Sequence, residues 1–350
     1  MAAVVDVAVV GGGPAGATTA RLLASVGHGV VLFHLDGRAR VPEIESVPPS
    51  ALPLVDSLGL AGAFAASAVS PYPGNDVCWG GEVSETIFDS PGLQVSRTAL
   101  DARLRFEATA VGVVVRSERV GSALLRRLRP RVVVDATGRA GPLGARRIAP
   151  RGWRTLAIVG AFRDAFDDPR TTVESFDRGW VWTVPMGPGQ RQVTVSVDPP
   201  RGRGLSGASL ARFFLAELSR AERTTVRLRG ASLGSVAAID ASPSMALHVA
   251  TRSRVLVGDS ACRVDPLSSF GLKKALAEAR IAAAVVHAML ASASGAADAA
   301  ARYVRHVQAD FAGAMGGAAA EVARASRRHE GPFWKRRRFP ATSRDYFLKR

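Results

Sequence analysis

The apolar positions of the chain begin with an unbroken run, Val4 to Val10, that leads directly into a glycine-rich turn. A run of this kind favours a strand buried on both faces, as in a parallel sheet. The following segment, from Pro14 to about Val26, is predicted to be a helix, and the apolar stretch "GVVLFH" after it a second strand. The chain therefore opens with strand, tight turn, helix and strand.

Alternating apolar and polar positions mark the middle of the chain, at residues 155–200 and 225–250. Period-two alternation is typical of strands in an antiparallel sheet. The segment "SLARFFLAELSR" at 209–220 instead has helical spacing, and we expect it to cover that sheet. Residues 281–325 are rich in alanine and predicted to be helical, with a break near Gly313–Gly317.

The first turn carries the spacing G-x-G-x-x-G, at Gly11, Gly13 and Gly16. The first glycine permits the turn, the second lets the backbone approach a pyrophosphate, and the third lets the helix pack on the strand. Pro14 and Ala15 stand in the first helical turn, whose free N–H groups and positive dipole end favour phosphate. In its strand–turn–helix–strand setting the motif predicts dinucleotide binding.

An acidic residue is normally expected at the end of the second strand, where it binds the adenosine ribose. This chain has His34 at that position and Asp36 two residues later. Either side chain is able to hydrogen-bond a ribose hydroxyl. The replacement of the usual acidic residue by His34 predicts altered binding of the adenosine.

Two further strand-tip motifs follow in order, "VVVDATGRAG" at 132–141 and "VLVGDSACRVDPLSSFGLKKALAEAR" at 255–280. Together with the glycine turn, "EIESVPPS" at 43–50 and "QVSRTALDARL" at 94–104, they make five blocks in one order. This order resembles the flavoprotein monooxygenases of the p-hydroxybenzoate hydroxylase fold, which include the flavin-dependent halogenases. The resemblance covers most of the chain and implies FAD as the cofactor.

The resemblance also implies the cofactor contacts. Asp259 is expected to hydrogen-bond the ribityl or pyrophosphate region, and Arg97 to reach the cofactor from its helix. Pro266 and the bend at 268–271 are expected beside the flavin ring, with the following helix directing its positive end at the reduced flavin. The complete predicted set is Gly11, Gly13, Pro14, Ala15, Gly16, His34, Asp36, Glu45, Ser46, Arg97, Asp135, Gly138, Gly258, Asp259, Pro266, Gly271 and Leu272.

The implied fold class is α/β: an N-terminal Rossmann-type FAD-binding parallel sheet with helices, interleaved with an antiparallel-sheet substrate domain and a helical C-terminal region. Residues 1–150 and 251–290 are assigned to a discontinuous FAD-binding domain, residues 151–250 to the substrate domain, and residues 291–350 to the helical region with its basic tail. We expect the antiparallel sheet to cover the flavin and form the substrate pocket.

Two further resemblances narrow the choice of reaction. "GWVWTVP" at 179–185 matches the W-x-W-x-[IV]-P pattern of halogenases, but the lysine that these enzymes require in the first third of the chain is missing, since no lysine occurs before Lys273. The blocks "DPLSSFGLKKALAEA" at 265–279 and "EVARASRRHEGPFWKRRRF" at 321–339 are similar to those of the flavoprotein maturases of quinone-cofactor amine dehydrogenases and amino-acid oxidases. Those maturases hydroxylate a tryptophan side chain of a partner polypeptide.

The preferred interpretation is thus an FAD monooxygenase that hydroxylates an electron-rich aromatic ring through a flavin C4a-hydroperoxide, in quinone cofactor biogenesis. O2 is the co-substrate, and NAD(P)H or a partner flavin reductase is the electron source. A small-molecule aromatic hydroxylase, a reductase of lipid double bonds, a halogenase and a non-catalytic flavin-binding scaffold stay open as alternatives. The candidate catalytic residues are Pro266, Ser268, Ser269, Gly271, Glu174 and His248, the last two as general bases.

Charge and composition add expectations about partners and location. The formal net charge is +16, and 42 of the 46 basic residues are arginine. This charge and the tail "FWKRRRFPATSRDYFLKR" predict an acidic partner protein docked on the C-terminus, with Phe333 and Trp334 as anchors. Recognisable nucleic-acid modules, metal-ligand spacings and membrane spans are missing from the sequence, and two distant cysteines favour a reducing cytoplasm.

Overall fold

A computed structural model of the chain describes residues 5–35, 41–141, 143–200, 204–268 and 271–338. The strands of this described part are β1 (Val7–Val10), β2 (Val30–His34), β3 (Ile44–Val47), β4 (Ala68–Trp79), β5 (Glu82–Ser96), β6 (Val114–Ser117), β7 (Val132–Asp135), β8 (Arg147–Ile148), β9 (Leu156–Arg163), β10 (Thr171–Phe176), β11 (Gly179–Gly187), β12 (Gln190–Val197), β13 (Ser232–Asp240), β14 (Ser244–Ala246), β15 (Arg254–Leu256) and β16 (Cys262–Arg263). The α-helices are α1 (Pro14–Ser25), α2 (Leu52–Ser57), α3 (Ala61–Ala65), α4 (Arg97–Ala110), α5 (Ser122–Leu128), α6 (Gly207–Leu218), α7 (Glu222–Arg227), α8 (Gly271–Ala291), α9 (Ala293–Ala325) and α10 (Pro332–Arg337).

A five-stranded parallel sheet forms the first layer, in the order β15-β7-β1-β2-β6. Its central strand β1 is completely buried, as the unbroken apolar run predicts. Helices α1 and α8 pack against each other on this sheet. The predicted Rossmann-type parallel sheet is therefore confirmed, and the carboxyl ends of β1, β7 and β15 meet at one edge.

The second layer is an eight-stranded sheet in the order β13-β9-β12-β11-β10-β4-β5-β3, antiparallel except where β10 pairs with β4. The predicted antiparallel sheet is thus present. It is larger than the assigned segment 151–250, because three of its strands, β3, β4 and β5, come from residues 44–96. The sequence assigned these residues to the FAD-binding segment, since the pairing of β4 with β10 joins residues 96 positions apart and leaves no local signal.

The two faces of this sheet have different neighbours. One face packs Val181, Val193 and Phe162 against helix α6, as the helical spacing of residues 209–220 predicts. The other face carries Trp180 and Trp182 of β11 and belongs to the same core as the parallel sheet and the long helices. The face with the two tryptophans is therefore the one turned toward the parallel sheet and the long helices.

Helices α8 and α9 are separated at Ser292, whose side chain accepts a hydrogen bond from the Gly295 N–H at 3.1 Å. The predicted break at 313–317 is wrong, since α9 is continuous from Ala293 to Ala325. The buried side chains of Phe311, Met315 and Val322 hold this stretch against the core, and their packing outweighs the low helix propensity of glycine. None of the described helices has both the length and the apolar character needed to cross a membrane.

The short helix α10 corrects the prediction for the C-terminal tail. Phe333 and Trp334 are 2% and 0% exposed, and the indole N–H of Trp334 donates to the Phe176 carbonyl at 2.8 Å. Both rings are therefore part of this chain's own core and are not available as anchors for a partner. This burial could not be predicted, because an aromatic pair inside a basic run has the same pattern whether it packs inward or outward. Residues 339–350 of the tail lie outside the described part of the chain.

Candidate functional site

The glycine turn between β1 and α1 has the close contacts that its spacing predicts. Gly11 has a φ of +117°, and a Cβ atom there would lie 2.1 Å from the carbonyl oxygen of Ala136. A Cβ on Gly16 would lie 1.9 Å from the carbonyl oxygen of Gly11. Gly13, by contrast, faces open space, with no atom within 4 Å of its Cβ position. The turn thus presents a clear backbone surface at the start of α1, where Pro14 and Ala15 stand, and this surface fits a pyrophosphate.

His34, the residue predicted to contact the adenosine, lies at the end of β2. A Cβ on Gly12 would lie 2.7 Å from the His34 Cβ, so this histidine lies directly beside the glycine turn. Arg105 of α4, which sequence reasoning missed, donates from Nη1 to the Gly12 carbonyl at 3.3 Å. Its position in α4 gave no signal, since exposed arginines are frequent in this chain. Asp36 lies outside the described residues.

The late motif meets the early one at Gly258. This residue has a φ of +65°, and a Cβ there would lie 2.9 Å from the Cβ of Ala15 in α1. The adjoining Asp259 is 32% exposed at its side chain and pairs through Oδ2 with Arg139 Nε at 3.1 Å. Two turns separated by more than 240 residues are therefore brought together, as predicted.

A second charged group from the predicted set lies on the β3–α4 side. Arg97 Nη1 is 2.8 Å from Glu45 Oε1, and its Nη2 is 3.5 Å from Asp101 Oδ1. Burial lowers the pKa of Arg97, but Glu45 and Asp101, with a contribution from Asp259, raise it above the ordinary value. The guanidinium is therefore a fixed cation between β3 and the Asp259 loop. Sequence reasoning missed Asp101, which has the i,i+4 spacing from Arg97.

The start of α4 is fixed by β3, which explains why Arg97 is held so precisely. The Glu43 carboxylate accepts from the Ser96 hydroxyl at 2.6 Å and from the Thr98 hydroxyl at 2.7 Å. Its backbone carbonyl accepts from the Arg97 N–H at 2.7 Å. Nearby, the predicted contact residue Ser46 donates to the Gln94 side chain at 2.8 Å.

Asp135 and Gly138 shape the loop between the two motifs. Asp135 accepts from the Thr137 N–H and hydroxyl through Oδ1, and its Oδ2 pairs with Arg254. Both carboxylate oxygens thus already interact with protein groups that shape this loop, and the direct cofactor contact of Asp135 stays a prediction. Gly138, with a φ of +63°, donates its N–H to the Ser260 hydroxyl at 2.8 Å and joins the loop to the late motif.

The predicted flavin-side bend is only partly described. Pro266 and Ser268 form a single 3₁₀ turn, in which the Ser268 hydroxyl donates to the Asp265 carbonyl at 2.8 Å. Asp265 itself is 2% exposed, and burial raises its pKa. Gly271 is exposed at the start of α8 and Leu272 is half-buried after it. Ser269 lies outside the described residues.

The two predicted general bases do not join this group. Glu174 accepts from the N–H groups of Arg223 and Thr224 and from the Thr224 hydroxyl, at 2.7 to 3.0 Å. It therefore caps α7, on the sheet face opposite the two tryptophans. Its sequence neighbours gave no hint of this, because the partner helix lies about fifty residues away. His248 is exposed in the loop after β14.

Two small cavities adjoin the site. One of about 160 Å³ lies beside Asp259 and contains a cluster of positive charge; its lining residues are Asp135, Thr137, Arg139, Gly141, Gly144, Ala145, Arg147, Ser260 and Arg263. Burial and the neighbouring Arg263 lower the pKa of Arg147 to about 10. The other, of about 100 Å³, lies on the tryptophan-bearing sheet face next to β3, lined by Val41, Glu43, Val159, Ala161, Met186, Gln192, Ser235 and Ala237. No cluster of three or more metal-ligating side chains occurs among the residues whose structure is described.

Comparison with known proteins agrees with this geometry. The family model for tryptophan halogenase matches residues 92–347, nearly three quarters of the chain. The chain belongs to the tryptophan halogenase family. A separate model, for an FAD binding domain, matches residues 4–119 of this halogenase-family chain, which include the glycine turn and Arg97. The chain is therefore a flavoprotein whose cofactor is FAD.

One similar protein is the "Tryptophan 2-halogenase" of Chondromyces crocatus, which is 29% identical over 345 residues. The match covers 87% of this halogenase-family chain but 65% of the relative, so the chain spans less than two thirds of that relative's length.

Two solved structures are also similar. The peptidyl tryptophan dihydroxylase QhpG, described as essential for tryptophylquinone cofactor biogenesis, is 26% identical with a TM-score of 0.80, over 96% of this chain and 79% of QhpG. The flavin-dependent halogenase CmlS has a TM-score of 0.83 at 24% identity, over 98% of this chain and 70% of CmlS, and supports the fold. The predicted resemblance to both maturases and halogenases is thus confirmed.

Proposed function

We propose that this chain is an FAD-dependent monooxygenase that hydroxylates an electron-rich aromatic ring, with a tryptophan side chain of a partner polypeptide as its substrate. The observation that carries the choice of hydroxylation over halogenation is the distribution of lysine. Residues 1–272 contain none, although they provide every described strand of the substrate-side sheet. The similarity to QhpG supports the same choice and a protein-borne substrate.

The lysines that follow are poorly placed for carrying a halogen. Lys274 is buried, where its Nζ donates to the Cys262 carbonyl at 2.8 Å and pairs with Glu278 at 3.1 Å. Lys335 lies on α10 and is paired with Glu330 at 3.8 Å. Lys273 is half-buried in the first turn of α8, just after the predicted flavin-side bend in sequence.

FAD, when bound, would supply the oxygen activation, and the chain's own residues would bind and orient it. The backbone at Gly13 and the start of α1 would hold the pyrophosphate, because only here is the glycine turn open. Arg97, held by Glu45, and Asp259, held by Arg139, would contact the cofactor between the two sheets. Pro266 and the N-terminal end of α8 would lie beside the ring, where the helix dipole favours negative charge.

The aromatic substrate would lie on the sheet face that carries Trp180 and Trp182. The 100 Å³ cavity on this face has small or apolar side chains, such as Val159, Ala161 and Ala237, beside β3. Such a surface orients a flat ring and excludes water, which is what an oxygen-transfer reaction needs from the protein. Hydroxylation requires no nucleophile from the chain, which agrees with the lack of a recognisable Ser/His/Asp or Cys/His signature in the sequence.

The test is a reaction of the purified protein with FAD, an NADH-dependent flavin reductase, O2 and a tryptophan-containing peptide, with bromide present. We expect mass spectrometry to find one or two oxygen atoms added to tryptophan, derived from labelled O2, and no bromine isotope pattern. Bromination without oxygen incorporation would contradict the proposal. Free tryptophan in place of the peptide distinguishes a protein-borne from a small-molecule substrate.

Halogenation is the second candidate, and the family match over residues 92–347 is the observation that favours it. It requires a lysine, and Lys273 is the position that would have to serve. Under halogenation Lys273→Met abolishes product, whereas under hydroxylation it leaves the product yield within about twofold. Lys335→Met on α10 is the matched control and is expected to be neutral under both.

A further inference from the structure

The loop that presents Asp259 is fastened at both ends to a single turn of α8. At its start, the Gly258 N–H donates to Glu278 Oε2 at 2.7 Å. At its end, the Cys262 carbonyl accepts from Lys274 Nζ at 2.8 Å. Lys274 and Glu278 are i,i+4 neighbours on α8, and their Nζ and Oε1 atoms are 3.1 Å apart. One ion pair therefore holds both ends of the Asp259 loop.

This ion pair is completely enclosed, unlike an ordinary helix-surface pair. The side chains of Lys274 and Glu278 are 5% and 0% exposed. Burial alone lowers the pKa of Lys274, but the Glu278 carboxylate more than reverses this, so the lysine stays charged. A buried pair of this kind is a poor source of stability, since the desolvation of both charges offsets their attraction. Its presence under the loop is better explained by what it holds in place.

The surrounding contacts make the arrangement rigid. The Tyr303 hydroxyl of α9 donates to the Leu256 carbonyl at 2.7 Å, immediately before the loop. The Cys262 thiol lies 3.7 Å from Glu278 Oε1, and burial raises its pKa to about 12, so it stays protonated. On its other side the loop is packed on α1 at Gly258 and Ala15. Asp259 is thus the one acidic side chain of the loop, and it is partly exposed.

We propose that Lys274 and Glu278 are positioning residues for FAD, which act through Asp259 by holding the 258–262 loop against the start of α8. The hydrogen-bonding distances place the pair's polar partners in the 258–262 loop, at Gly258 and Cys262, and not at Gly13 or Arg97. Because it holds both ends of the loop, its loss changes where the Asp259 carboxylate points. This inference rests on FAD binding alone and is independent of whether the reaction is hydroxylation or halogenation.

The test is FAD affinity, measured by titrating FAD into the full-length apoprotein and following flavin fluorescence. Glu278→Gln keeps the shape of the side chain but removes the charge that orients Lys274, and Lys274→Met removes the contact with the Cys262 carbonyl. Each is expected to raise the Kd for FAD about tenfold or more. Asp298→Asn, which breaks an exposed i,i+4 pair with Arg302 on α9, is the control and should leave the Kd unchanged.

A double-mutant cycle with Asp259→Asn separates positioning from general destabilisation. If the pair acts through Asp259, Glu278→Gln raises the Kd less than about threefold once Asp259 is already replaced. Both single variants should also blur the fine structure of the bound flavin's visible absorption in the same way. An equal rise in Kd in both backgrounds, or no rise in either, would overturn the proposal. If Lys274→Met does not fold, the FAD Kd of Glu278→Gln in the two backgrounds still decides the question.

Discussion

A Cβ atom on Gly258 would lie 2.9 Å from the Cβ of Ala15, so the loop before Asp259 packs directly on the first turn of α1. The phosphate-binding turn and the Asp259 loop are thereby parts of one surface. Gly13, two residues before Ala15, has no atom within 4 Å of its own Cβ position. Gly258 is therefore enclosed by protein, whereas Gly13 faces the space that FAD would fill.

Gly13→Ala is expected to leave the apoprotein's free energy of unfolding within about 0.5 kcal/mol and to raise the Kd for FAD about tenfold or more. The added methyl meets no protein atom and would meet the pyrophosphate. Gly258→Ala, at a φ of +65°, should instead destabilise the apoprotein by about 1–3 kcal/mol. Chemical unfolding and FAD titration measure the two effects. Unchanged FAD affinity in Gly13→Ala would contradict the assignment of the pyrophosphate to this turn.

Arg97→Lys tests whether FAD binding needs the two-pronged hydrogen-bonding geometry of the guanidinium or only its positive charge. Its Nη1 pairs with Glu45 at 2.8 Å and its Nη2 with Asp101 at 3.5 Å. A lysine ammonium cannot reproduce this pair of contacts from two separate nitrogen atoms. We expect the FAD Kd to rise by about tenfold, the loss of one charge-assisted hydrogen bond. Arg302→Lys on the exposed face of α9 is the control. Equal affinity in wild type and Arg97→Lys would show that charge alone suffices.

Glu174→Gln distinguishes a helix cap from a general base. The carboxylate accepts three hydrogen bonds at the start of α7, so the amide should cost about 1–2 kcal/mol of unfolding free energy. We expect the pH profile of kcat to keep its shape, because Glu174 lies on the face away from the two tryptophans. Glu222→Gln, at the exposed start of the same helix, serves as control. Loss of an acidic limb from the profile would restore the base assignment.

Trp334→Ala tests the internal role of the aromatic pair on α10. The indole is 0% exposed and lies edge-on to Trp79 at 5.6 Å between centroids. Its removal is expected to cost about 3–5 kcal/mol, measured by chemical denaturation. Phe106→Ala, at a side chain that is 64% exposed, should change stability by less than about 0.5 kcal/mol. A small effect at Trp334 would mean that α10 does not belong to the core.

His329 makes the stability of the fold sensitive to acid. Burial lowers its pKa below the ordinary value of 6.5, and its Nε2 is 2.9 Å from the Ser175 hydroxyl. The unfolded chain therefore binds the proton more readily, so stability is complete above about pH 6.5 and falls as the pH drops below it. His329→Gln should flatten this part of the profile of unfolding free energy against pH. An unchanged slope between pH 7 and 5 would contradict the prediction.

The parts of the site that the sequence predicted share one property: their chemistry is local. Gly11, Gly13 and Gly16 are fixed by what a strand–helix turn can accept, and the strand-tip position of Asp259 follows from the apolar run before it. The motifs also came in an order that is tied to one fold. Their meeting at Gly258 and Ala15 is therefore a consequence of sheet topology, in which β1, β7 and β15 end at the same edge.

Other assignments depended on partners that lie far away in sequence. Glu174 caps α7 because that helix packs over its strand, and Trp334 points inward, where its indole N–H donates to the Phe176 carbonyl. Asp135 is paired with Arg254, more than a hundred residues further along the chain. Lys274 and Glu278 have the spacing of an ordinary surface pair, and only the packing of α8 beneath the Asp259 loop encloses them.

The sequence by itself thus determined the cofactor class, the turn that fits its phosphates and the absence of lysine before residue 273. Tertiary structure alone decided which charged and aromatic side chains are buried or paired within the fold and which lie open beside the glycine turn. The physical reason is that a backbone turn is governed by the sterics of adjacent residues, whereas burial and pairing are set by whichever distant element packs against a side chain.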